Sequence, residues 1–166
     1  MVTVSPRRGA RGGSVGPTGK GAVATGPLVD VAIDVKYKLA ALWTAVLFLY
    51  AYGDIFGYFR PGFIDEVRAG TVSAFQINQL YLVGIAVYIA VPSLMVFLSL
   101  ALRPPVSRWV NIAASIVYIG TIVASCIGET WAYYYMLSIA ECAVLLLIIG
   151  HAWRWPRAAT PVEGRA

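Results

Sequence analysis

The chain has 166 residues, of which 59% are hydrophobic and only 13% charged, with a mean hydropathy of +0.72. A soluble domain carries about twice that charged share, and the long apolar runs leave no room for a separate soluble domain. Net charge +5 does not indicate a nucleic-acid partner, because the basic residues are sorted along the chain as a membrane topology sorts them.

Residues 1–27 are rich in Gly, Ser, Pro, Thr and Arg and nearly devoid of large apolar side chains. This composition predicts a disordered basic tail over residues 1–30. No apolar core follows Arg7-Arg8, and the first apolar run has no A-x-A-like cleavage pattern, so that run reads as a retained anchor. Four runs follow, at 37–59, 80–102, 109–127 and 131–152. At about 1.5 Å per residue each covers the roughly 30 Å hydrocarbon core of a bilayer. The expected fold is all-α: an integral membrane four-helix bundle over 31–157, with a short tail at 158–166.

Asp34 is the expected N-cap of the first helix, and Arg60-Pro61-Gly62 ends it. The connection 60–79 is the one long loop. Its Phe63, Ile64 and Val67, beside Asp65, Glu66 and Arg68, predict a short amphipathic helix. Pro92 in the second run reads as a kink. Gly128-Glu129-Thr130 is a tight turn that makes the last two spans an antiparallel hairpin, with Glu129 a solvated loop charge or a helix N-cap neighbour rather than a catalytic group. Residues whose numbers sum to about 259 are then level, placing Glu141 opposite Tyr118. Eleven of the thirteen basic residues flank the chain ends and the 103–108 turn, leaving Arg60 and Arg68 on the other side. Both termini are therefore expected in the cytoplasm, with the protein in the plasma membrane and in contact with anionic lipid.

Polar residues inside the runs are the candidates for function. Asp54 sits about five residues inside the outer end of the first span, between Tyr50 and Tyr58. Tyr81 and Tyr134 are expected in the same outer layer. Glu141 falls near the midplane, with Tyr88 at similar depth, and Tyr134, Ser138 and Glu141 share one helix face. A central acid costs roughly 2.5–3.5 kcal/mol to insert, which the span's eight strongly apolar residues offset at about 0.3–0.6 kcal/mol each. With no Lys or Arg at its depth, Glu141 is expected to hold its proton and donate to Tyr118 or Tyr88. Asp54, Tyr50, Tyr58, Tyr81, Tyr88, Tyr118, Tyr134, Ser138 and Glu141 together form the candidate ligand pocket. The two acids differ in depth by roughly 9–10 Å at 1.5 Å per residue.

Cys126 and Cys142 differ in depth by roughly 14 Å, beyond the ~7 Å limit for a disulfide. The lone His151 lies at a span end among Trp153, Arg154 and Trp155. With no second His and no Cys cluster, neither a metal nor a cofactor is expected.

The strings Leu-Tyr-Ala-Tyr-Gly-Asp-Ile-Phe (49–56), Pro-Ser-Leu-Met-Val-Phe-Leu-Ser (92–99), Arg-Trp-Val-Asn-Ile (108–112) and Glu-Cys-Ala (141–143) carry a resemblance. The segment from Lys36 to Arg154 resembles an uncharacterised bacterial family of small four-span membrane proteins, and more remotely DoxX-type four-helix proteins. The resemblance implies the architecture and no activity. The leading reading is a non-enzymatic bundle that binds a small lipophilic ligand or serves as an accessory subunit of a membrane complex, with a homo-oligomer as a further option. The alternative is an intramembrane enzyme acting on a lipid, sterol-like or quinone substrate with Asp54 and Glu141 as acid and base. A proton-coupled transporter fits less well, because no internal repeat is present.

Overall fold

The computed structural model describes residues 32–72 and 75–156; the tails expected over 1–30 and 158–166 lie outside these. Four long helices are each long and apolar enough to cross a membrane: α1 (Val35–Gly57), α3 (Gln79–Ala101), α4 (Pro104–Ser125) and α5 (Ala132–Trp153). Between α1 and α3 lie a short helix, α2 (Phe63–Arg68), and the strands β1 (Thr71–Val72) and β2 (Phe75–Gln76). The architecture is that of a multi-pass membrane protein.

Local chemistry sets the boundaries. Asp34 accepts from the Lys36 amide at 2.8 Å and caps α1, and Asn78 caps α3 by accepting from the Tyr81 amide at 2.9 Å. The third span begins at Pro104 rather than near Trp109. Proline at the first helical turn loses no helical hydrogen bond and presets φ, so the apolar run understates this helix. Gly62, Gly70 and Gly128 take φ of 81–84°, the left-handed geometry that makes the turns before α2, before β1 and between α4 and α5. The antiparallel β1–β2 pair, Thr71 with Gln76 and Val72 with Phe75, has no signal in the sequence: two-residue strands carry no readable alternation.

The bundle is ordered α3–α1–α5–α4, with extensive packing at each of those three contacts; α3 and α4, although consecutive, touch far less. Lys36, at the start of α1, donates to the carbonyls of Leu100 and Leu102 at 2.9 and 2.8 Å. These are orphan acceptors at the α3 C-terminus. The chain ends of α1 and α5 and the α3–α4 turn thus share one end of the bundle, the terminal end; the opposite end is the loop end.

Polarity is inverted relative to a soluble bundle. Phe48, Leu94, Phe97, Ile116, Ile139 and Leu146 face outward, whereas Ser99, Ser107, Asn111, Ser115, Ser138 and Glu141 are buried. Burial recurs every three or four residues: Leu39, Trp43 and Val46 on α1, Ser107, Asn111, Ser115, Tyr118 and Ile122 on α4, and Ser138, Glu141, Leu145, Ile148 and Ala152 on α5. In lipid the outward face gains nothing from being polar, and every polar side chain needs a partner inside.

Toward the terminal end that partner is Asn111. Its Oδ1 accepts from Trp43 Nε1 at 2.7 Å and lies 3.0 Å from Ser99 Oγ, while its Nδ2 donates to the Ser107 carbonyl at 2.8 Å. One amide therefore joins α1, α3 and α4, with Leu145 and Ile148 of α5 packed into the same core. Asn111→Ala strands the Trp43 indole and is expected to cost about 1–3 kcal/mol, measured by unfolding in mixed micelles. Trp43→Phe, which removes one donor and leaves Asn111 its serines, should cost less in hydrogen bonding.

Candidate functional site

Midway along the helices a layer of tyrosines crosses the bundle, and Pro92 organises it. A proline has no amide proton, so the carbonyl four residues earlier, that of Tyr88, loses its helical donor. The Tyr118 hydroxyl of α4 donates to that carbonyl. A neighbouring helix thus satisfies a backbone group freed inside an apolar environment. Reading Pro92 only as a kink misses this role, since the helix that supplies the hydroxyl is a tertiary matter.

Around this contact the rings of Tyr88 and Tyr118 lie 4.7 Å apart, and Tyr50 sits 5.9 and 6.3 Å from them. Trp43 meets Tyr118 edge-on at 6.0 Å. Tyr50 Oη is 3.2 Å from Tyr88 Oη, which is 2.8 Å from Thr121 Oγ1. Thr121 is not among the residues expected at the site. A lone threonine in an apolar run ordinarily bonds its own helix, and it does donate to the Tyr118 carbonyl at 2.8 Å.

Because α3 and α4 diverge, a cavity of about 680 Å³ opens between them. Gly84, Val87, Val91, Leu94, Val110, Ala113 and Val117 line it, with Met95 and Tyr118 buried at its base, Tyr88 half-buried and Thr121 exposed on its wall. Val87, Val91, Leu94 and Val117 are exposed, so the cavity faces outward from the bundle, where lipid chains would lie. Its volume falls within the range of small-molecule sites.

Of the nine expected pocket residues, Tyr88 and Tyr118 line this cavity and Tyr50 stands behind them. Glu141 is 7% exposed and makes no hydrogen bond among the described residues. The expected bond to Tyr118 or Tyr88 is not formed, because those hydroxyls serve the Tyr88 carbonyl, Tyr50 and Thr121. Ser138 is buried one turn from Glu141 on the same face. Asp54 is exposed. Its neighbours set the pairing of α1 with α5: Gly53 packs toward Leu137, and Phe56 meets Tyr133 at 6.3 Å. Glu141 then lies level with the turn at Phe48–Tyr50, and Asp54 about 7 Å further along at 1.5 Å per residue. The two carboxyls are within electrostatic reach of each other, and Glu141 of Tyr50.

The other tyrosines disperse toward the loop end. Tyr58 is exposed and edge-on to Phe63, Tyr81 stacks on Phe75, and Tyr134 donates to Ser125 Oγ at 2.8 Å. The Tyr134–Ser125 pair agrees with the hairpin register read from the Glu129 turn.

Of the two readings of Glu129, the neighbour of a helix N-cap is the one that fits, since Trp131 caps α5. The Glu129 side chain is 13% exposed and pairs with Arg60 through contacts of 3.1 and 3.4 Å, while Oε1 accepts from the Thr130 and Trp131 amides at 2.8 and 3.1 Å. Arg60 also lies 5.2 Å over the Trp131 ring. This cluster ties the end of α1 to the α4–α5 turn. At the terminal end Arg108 lies 5.4 and 5.2 Å from the rings of Trp109 and Trp153, and His151 Nδ1 contacts the Leu147 carbonyl at 2.8 Å. Both cysteines are free thiols. Among the described residues no group of His, Cys, Asp and Glu is arranged to hold a metal.

Residues 29–160 match a family of unknown function, DUF6326. The chain belongs to that family. No curated protein and no solved structure matches it. The DUF6326 match covers all four long helices, so the tyrosine layer, the cavity and the Arg60–Glu129 pair all lie within the family's extent.

Burial alone would raise the Glu129 carboxyl, but the two amides and Arg60 outweigh it and hold the group below its usual value. A carboxyl depressed in this way stabilises the fold fully above its ordinary value of about 4.5, and that contribution fades as pH falls through the lower native value. Glu129→Gln should therefore cost about 1 kcal/mol at pH 7, and the deficit should shrink on acidification below 4.5. Melting temperatures of both proteins across pH read this directly.

Proposed function

We propose that this protein binds a small lipophilic molecule taken up sideways from the bilayer through the opening between α3 and α4. The observation that carries the reading is the cavity: apolar and outward-facing along its sides, with Tyr88 and Thr121, whose hydroxyls are 2.8 Å apart, in its lining. Apolar walls with a few convergent polar groups are the usual form of a small-molecule site. The wider likeness to DoxX-type bundles, and service as a subunit of a larger membrane complex or as a homo-oligomer, are compatible with it. An intramembrane enzyme acting through Asp54 and Glu141 draws support from the α1–α5 pairing, which sets those residues about 7 Å apart along the helix axes. No hydrogen bond carries either of them to the cavity, so binding is the stronger reading.

The proposed location is the plasma membrane with the terminal end cytoplasmic. Lys36, Lys38, Arg103, Arg108 and Arg154 cluster there, against Arg60 and Arg68 at the loop end, which is the asymmetry of the positive-inside rule. Single cysteines placed at Arg103 and at Gly70 in a background without Cys126 and Cys142 test it. An impermeant thiol reagent on intact cells should label the Gly70 site alone; labelling at Arg103 alone would invert the topology.

For the binding site, mass spectrometry of the protein purified in mild detergent should reveal a retained lipophilic molecule near one per chain. Ala113, exposed on the cavity wall, tests the location. Ala113→Phe should cut occupancy at least tenfold without lowering the melting temperature. An equally occupied Ala113→Phe protein, or a wild type that retains nothing and binds no added lipophile, would overturn the reading.

A further inference from the structure

Hydroxyls that lead to the cavity wall form a chain whose direction follows from counting protons. Thr121 Oγ1 donates its single proton to the Tyr118 carbonyl at 2.8 Å. Toward Tyr88 Oη, 2.8 Å away, Thr121 can then only accept, so Tyr88 is the donor there. With the Tyr88 proton committed, Tyr50 must donate across the 3.2 Å contact between the two phenols. The chain therefore runs from Tyr50 on α1 through Tyr88 on α3 to Thr121 on α4. Tyr118 cannot substitute for any link, because its own proton is held by the Tyr88 carbonyl that Pro92 leaves open.

The last link is the exchangeable one. The Tyr118 carbonyl lies in a continuous stretch of α4 and has an ordinary helical donor without Thr121. Rotation of the hydroxyl about the Cβ–Oγ1 bond would turn its proton to the cavity while Oγ1 stays in place, leaving both upstream bonds intact. The cavity thus has one donor to offer. It has no charged residue in its lining, so nothing there would hold a carboxylate, a phosphate or an ammonium group in an apolar setting.

Resting on the binding site proposed above, we infer that the occupant is a neutral lipophile with an acceptor oxygen, of the ketone, aldehyde or quinone class, whose carbonyl takes the Thr121 proton at the end of the Tyr50–Tyr88–Thr121 chain. A pure hydrocarbon leaves that donor unused. A charged head group finds no counter-charge.

The test uses the full chain in phosphatidylcholine nanodiscs and two matched probes: a long-chain acylnaphthalene ketone, and the hydrocarbon in which a methylene replaces its carbonyl. Displacement by each probe of one common dansyl-alkane, read as lost energy transfer from protein tryptophan, gives the affinities. The wild type should bind the ketone about three- to tenfold tighter than the hydrocarbon, the range one neutral hydrogen bond supplies. Thr121→Val should bring the ratio of ketone to hydrocarbon affinity close to one. The carbonyl stretch of the bound ketone, read by infrared difference spectroscopy, should lie lower in the wild type than in Thr121→Val, a shift that a merely structural threonine would not produce. Equal affinities for the two probes in the wild type, with Ala113→Phe still excluding both, would overturn this inference and leave the binding site standing. Binding of both probes unaffected by Ala113→Phe would remove the site and the inference together.

Discussion

Pro92 leaves the carbonyl of Tyr88 without its helical donor, and in a bundle built to sit in lipid no water stands ready to replace it. The Tyr118 hydroxyl fills that role. Much of the central layer follows. Tyr118 is drawn against α3, its ring packs on Tyr88 and Trp43, and the Tyr88 hydroxyl is left to bridge Tyr50 and Thr121. A single missing proton on α3 thereby ties α4 to it at mid-depth. Elsewhere the two helices stand far enough apart to leave a cavity.

The same demand for internal partners operates at other depths with different chemistry. Toward the terminal end Asn111 gathers an indole and two serines from three helices. At the loop end Glu129 gathers Arg60 and two amides. Each cluster bridges elements that apolar packing alone would leave free to slide, because interhelical dispersion is weakly directional in lipid. Ser115 Oγ is buried without a partner among the described residues, and Glu141 is a second, costlier case. It is buried without a hydrogen bond among the described residues, level with Tyr50, in a layer that holds no basic side chain. Intramembrane acids of this kind mark functional positions more often than structural ones.

Much of the architecture is legible in the order of the residues. Runs of twenty-odd apolar residues can only be long helices, so the four spans follow from their length. The Asp34 cap, the 63–68 helix and the 128–130 turn follow from local side-chain chemistry. The inward stripes of α4 and α5 are readable too, because a helix's own geometry decides which residues share a face. Even the hairpin register emerges from the position of one turn, and the Tyr134–Ser125 bond agrees with it.

What the sequence could not decide is which face meets which neighbour. Nothing local says that Tyr118 serves a carbonyl on α3 rather than the Glu141 carboxyl on α5. Nothing local says that α3 and α4 part while α1 and α5 close, or that Arg60 reaches a glutamate 69 positions away. Those outcomes depend on the order of the helices around the bundle. The sequence determined four spans and the polar stripe that ends at Glu141 on the last, because helical periodicity and hydrophobic length are properties of a segment. The tertiary structure alone decided the partner of each polar group, and hence where the cavity lies, because a hydrogen bond between helices belongs to a pair.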